Sequence, residues 1–198
     1  MRIGVALALG TLILTLSWGA TQSASETSPL GRQPFDQTLE YAGISFRVQA
    51  PNDSSIGTLT ITPAGLEIDN SEIQREIDGT VVLAEVADLD ADDSPEIYVY
   101  VQSAGSGSYG SLVAYAANGR KSLSEIYLPP LEDNPKAAAG YMGHDAFRVV
   151  ENRLVQRFPI YQEGDTNAEP SGGMRQLQYK LVPGEAGWVL ELDRLVEY

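Results

Sequence analysis

The chain has 198 residues, 43% of them hydrophobic, with no cysteine, one histidine and a formal net charge of −14. That length suffices for one domain with its own core, and the missing thiols exclude disulfide staples, cysteine nucleophiles and a lipid-anchored amino terminus. The negative balance disfavours nucleic acid and anionic membrane surfaces as partners.

Arg2 followed by the uncharged, mostly apolar run from Ile3 to Leu16 predicts a secretory signal peptide over residues 1–24, cleaved between Ala20 and Ser25. A bilayer takes about 20 apolar residues, so this run is too short for a retained anchor. Only Arg2 of the 13 basic residues and none of the 27 acidic ones lies in the leader, so the mature charge is 12 − 27 = −15. Residues 25–37, with Pro29 and Pro34 and few large apolar groups, read as a flexible lead-in. Residues 38–198 read as a single β-domain.

A first strand is expected where Tyr41, Ile44, Phe46 and Val48 recur at close to a period of two, and a second at Gly57 to Thr62. From Asn70 to Ile77, the spacing of Ile73 and Ile77 suggests one or two helical turns, stopped by Asp78-Gly79. Thr80 to Val86 is rich in β-branched residues and reads as a buried strand.

Asp88, Asp90, Asp92 and Glu96 then follow in a D-x-D-x-D pattern with a later carboxylate, the arrangement by which loops converge alternate oxygens on calcium. Two features depart from that pattern: Asp93 stands where such loops use glycine, and Glu96 comes earlier than a twelve-residue loop requires. The preferred reading is therefore a solvated acidic turn, with no metal or other cofactor.

Glu96 to Val101 and Ser111 to Ala117 are strand-like runs on either side of Ser103-Ala104-Gly105-Ser106-Gly107-Ser108-Tyr109-Gly110. Small polar residues build no core, so this segment is a loop tip carrying one rigid aromatic. Asn118-Gly119 predicts a tight hairpin turn into Lys121 to Leu128, and Leu131 to Ala139 permits a short helix. Gly140 to Asp145 is a second loop and holds His144, which has no second histidine or cysteine with which to form a zinc site or triad. Phe147 to Val150 and Leu154 to Phe158 form a hairpin over Glu151-Asn152, closed by Pro159. Gln162 to Gly173 is a long polar loop, and Arg175 to Leu181 and Trp188 to Val196 are the last strands. About ten short strands with frequent turns and almost no helix predict an all-β, antiparallel sandwich or barrel.

The run Ser106-Gly107-Ser108-Tyr109 resembles the Ser-Gly-x-Tyr motif of periplasmic lysozyme inhibitors. Three other stretches resemble the inhibitors of invertebrate-type (I-type) lysozyme: Glu85-Val86-Ala87-Asp88-Leu89 through Pro129-Pro130, Gly140-Tyr141-Met142-Gly143-His144-Asp145, and Pro170 through Tyr179. The resemblance extends over nearly the whole mature chain. It implies a sandwich, a periplasmic location, protection of peptidoglycan against an I-type lysozyme, and the motif's serine and tyrosine at that enzyme's active site. It also implies that the second loop lies beside the tip. The expected lysozyme-binding residues are thus Ser106, Gly107, Tyr109, Tyr141 and His144, with no catalytic residue. Monomer and homodimer both stay open. The alternative is a calcium-stabilised carbohydrate-binding or adhesion module. Catalysis has little support, because no nucleophile elbow or phosphate loop is present.

Overall fold

The structure, a computed structural model, describes residues 33–198; the predicted signal peptide and most of the predicted lead-in lie outside them. The all-β expectation holds, with twelve strands among the described residues rather than about ten. They are β1 (Phe35–Tyr41), β2 (Ile44–Ala50), β3 (Ile56–Ala64), β4 (Ile73–Asp78), β5 (Thr80–Ala87), β6 (Glu96–Gln102), β7 (Gly110–Asn118), β8 (Ser122–Tyr127), β9 (Ala146–Val150), β10 (Arg153–Pro159), β11 (Met174–Pro183) and β12 (Trp188–Glu197). Between β8 and β9 the expected short helix appears as a 3-10 turn at Leu131–Asp133 and α1 (Pro135–Ala138). Asn134 caps it, its side chain accepting from the Ala137 amide at 3.1 Å, and Pro135 occupies the first turn, where its missing N–H costs nothing.

Strands β1 to β4 form a four-stranded sheet in sequence order, and the others an eight-stranded sheet in the order β5-β6-β7-β8-β12-β11-β10-β9. All named pairings are antiparallel except β8 with β12, which run parallel over two residue pairs. The two sheets share one wall. β6 sends Ile97, Val99 and Val101 toward the four-stranded sheet, where they meet Ile44, Phe46, Val48, Leu59 and Ile61. Its other face sends Tyr98 and Tyr100 into a second core with Phe147, Leu154, Phe158, Leu177 and Leu190. Because β6 is covered on both sides, its sequence is a continuous apolar run, whereas β11, covered on one, alternates cleanly.

The large sheet curls so that its edge strands approach. The Glu85 carboxylate on β5 accepts from the Val149 amide on β9 at 2.8 Å and from the Tyr100 hydroxyl at 2.6 Å. A side chain thus bridges the seam of a nearly closed barrel. Arg175, only 4% exposed, fastens the other end: it donates to the carbonyls of Ala137 (2.8 Å) and Ala139 and pairs with Glu197 at 2.7 Å.

Three local expectations change. The strand expected through Tyr41 to Val48 is a hairpin, β1 and β2 meeting over Ala42 and Gly43, both at positive φ (49° and 80°), and β1 begins at Phe35, inside the expected lead-in. β1 is mostly exposed, so it lacks the apolar content that would mark it as a strand. Residues 73–78 form the edge strand β4 rather than helical turns. Ile73 and Ile77 are both turned inward, but Arg75 between them reaches across to Glu125 and breaks the alternation. In the β7–β8 hairpin the turn centre is Gly119-Arg120 (φ 51° and 62°), one residue beyond expectation. Asn118 stays in the strand, where its side chain accepts from the Trp188 indole at 2.9 Å and from the Ser124 hydroxyl at 3.1 Å.

Candidate recognition site

The β6–β7 loop turns at Ser103 to Tyr109. The Ser103 amide donates to the Tyr109 carbonyl and the Tyr109 amide to the Ser103 hydroxyl, both at 2.9 Å, which pinches the neck of the loop. Within it, the Ser108 amide donates to the Gly105 carbonyl at 3.0 Å, leaving Ser106 exposed at the apex. The Tyr109 ring folds back across Gly107 so closely that a Cβ there would collide with it, yet the residue stays 48% exposed. Its ring meets Tyr141 edge to face, with centroids 5.7 Å apart. Tyr141 in turn meets buried Phe158 edge to face, with centroids 4.8 Å apart. An aromatic chain therefore runs from the core to the tip.

The second loop lies directly against the first. The His144 amide donates to the Gly107 carbonyl at 2.7 Å, and Gly143, at φ 89°, sits where any side chain would strike that same carbonyl oxygen. Glycine is required here by both dihedral and space. Asp145 ties three elements together: it accepts from the Gly110 amide at 2.9 Å, the Tyr141 hydroxyl at 2.7 Å and the Gln156 amide at 2.6 Å. Burial, followed by the Asp145 carboxylate, pushes the Tyr141 hydroxyl well above the usual phenol range, so it remains a donor at any physiological pH.

All five residues expected from the sequence, Ser106, Gly107, Tyr109, Tyr141 and His144, thus lie in one cluster at one end of the molecule. A third element completes it. Asn167, from the long polar loop, donates to the Ser106 carbonyl at 2.9 Å and faces His144 Nε2 through its Oδ1 at 3.2 Å. Its own carbonyl accepts from the Tyr161 hydroxyl at 2.9 Å. That loop is ordered around Asp165, which accepts from the amides of Gln162 (2.7 Å) and Ser171 (2.8 Å). These amide bonds hold the Asp165 carboxyl below the usual carboxylate range. Neither Asn167 nor Asp145 carries a sequence signal: their partners lie 61 and 35 residues away, and polar loop residues are common.

Within this geometry the decisive comparison concerns the segment that contains the tip. Residues 70–139 match the family model of the periplasmic lysozyme inhibitor of I-type lysozyme. The family expected from the motifs is the one found. Its match runs from the approach to β4 through α1, taking in the Ser106–Tyr109 motif, while the similar stretches at 140–145 and 170–179 fall outside it. No curated protein and no solved structure matches the chain. Ser106–Tyr109 therefore lies, within the matched segment, on a tip braced by two loops outside that segment.

Proposed function

We propose that this protein is a periplasmic inhibitor of I-type lysozyme, not an enzyme, and that its β6–β7 tip enters the lysozyme's active-site cleft. The observation that carries this reading is the half-exposed Tyr109 ring at the head of an aromatic chain, beside an exposed Ser106, within the segment that matches the inhibitor family. A lysozyme cleaves glycan between two carboxyl groups, so an intruding loop must satisfy those groups and exclude the sugar. The Ser106 hydroxyl is free to donate to a carboxylate, and the Tyr109 ring has the size of a sugar-subsite occupant with a phenol donor at its end. Tyr141 and His144 flank them as part of the same contact surface. The glycines leave little bulk in the way.

Preorganisation supports the reading. Loops tethered by backbone hydrogen bonds to a stiff β-body lose little freedom on binding, which is what a blocking probe needs. The acidic surface adds long-range attraction toward a cationic enzyme, and the predicted signal peptide supplies the route to the periplasm. The test is titration of the purified protein against I-, C- and G-type lysozymes at low and high salt. Inhibition of the I-type enzyme, weakened by added salt, is the expected result; no inhibition of any of the three rules the function out.

A further inference from the structure

At the end of β6 away from the tip, Asp88, Asp90, Asp92 and Glu96 each bring one carboxylate oxygen to within 4.8 Å of the others. The turn is solvated, as expected from the sequence, at Ala91 to Asp93, but its base at Glu96 is buried. Glu96 is 2% exposed, and its Oε2 accepts from the Leu89 amide at 2.8 Å and the Tyr98 hydroxyl at 3.3 Å. Asp90 Oδ1 is buried as well, with no hydrogen-bond partner of any kind. No lysine or arginine among the described residues pairs with any of the four carboxylates; the nearby Arg120 instead donates to the Asp93 carbonyl, at 3.2 Å. A buried carboxylate oxygen without a donor is costly, and Asp90 Oδ1 converging with three further acids is a local excess of negative charge lacking its counterpart.

We propose that this β5–β6 loop is a calcium site, with Asp88, Asp90, Asp92 and Glu96 as its carboxylate ligands. All four donors are hard oxygens and none is nitrogen or sulfur, which selects an alkaline-earth cation over zinc or copper. Oxygens bound at about 2.3–2.6 Å from one calcium ion stand at most about 5 Å apart, the spread seen here. Both departures from the familiar loop pattern are resolved by the fold. Asp93 adopts φ 65°, the left-handed conformation for which glycine is usually chosen. Glu96 reaches the cluster because β6 starts there and turns its side chain inward.

The site is independent of the lysozyme reading, since it caps the opposite end of β6 and touches none of the tip residues. The experiment uses the purified protein stripped with EDTA, then titrated with CaCl2 by calorimetry and followed by thermal unfolding. One equivalent of calcium should bind and raise Tm by about 5 °C or more at saturating metal, reversibly with chelator. Asp92→Asn, at an exposed position where the new side-chain oxygen can still accept from the Ser94 amide, should weaken calcium affinity at least tenfold, and Asp90→Asn should do the same. Three results would overturn the proposal: an identical Tm in calcium and EDTA with no calorimetric heat at millimolar metal, unchanged affinity in both variants, or an equal response to MgCl2, which would remove the assignment to calcium. Calcium binding without lysozyme inhibition would support this site and defeat only the inhibitor reading.

Discussion

Tyr109 and Ser106 have unequal parts in the proposed contact. An aromatic anchor that becomes buried on binding typically contributes 2 kcal/mol or more, and a single hydroxyl contact less. Tyr109→Ala is therefore expected to weaken lysozyme inhibition by at least about 30-fold and Ser106→Ala by about 10-fold or less, measured as inhibition constants. An unchanged constant for the double variant would remove these residues from the interface. Gly143→Ala addresses the brace instead of the probe. A methyl group there meets the Gly107 carbonyl and forces a strained φ, so inhibition should fall while far-ultraviolet dichroism stays that of the parent. At this scale the sequence was informative where a short motif concentrates unusual residues, as at Ser106 to Tyr109. It was silent on Asn167 and on the ties of Asp145 to Gly110 and Gln156, partners that only the folded chain brings near.

Among the elements, β5 and β9 deserve the next test because one carboxylate joins them. Glu85→Ala leaves the Val149 amide and the Tyr100 hydroxyl without an acceptor, and should lower stability by about 2 kcal/mol. Hydrogen exchange at Val149 reports this directly: its amide should lose protection selectively, whereas uniform loss across all strands would mean global unfolding instead. Arg175→Ala strands two helix-end carbonyls and should cost about 2–3 kcal/mol in chemical denaturation. Strands with strong alternation or continuous apolar runs, such as β6 and β11, were legible from residue pattern alone. β1 and β4 were not. Each is an edge strand with most side chains in water, so it lacks the apolar alternation that pattern reading uses.

For the molecule as a whole, the core between the sheets and the proposed recognition tip are separate regions. Phe46→Ala, deep in the core between the sheets, should lower stability by about 3–5 kcal/mol yet leave inhibition unchanged at temperatures where the protein stays folded. The contrast between that variant and Tyr109→Ala, read in paired unfolding and inhibition assays, separates body from probe. The seam at Glu85 and the pairing of β8 with β12 could not be foreseen, because no local pattern states which distant edges meet.

The tip is the bend of a hairpin whose arm β6 is laced along its length to β5, while β7 is laced to β6 and, over Tyr115–Asn118, to β8. A tug on it is directed along the strands, so the lateral bonds share the strain together instead of opening one after another. A lysozyme pulling away from this protein should thus let go before the body yields, leaving the inhibitor intact to engage again.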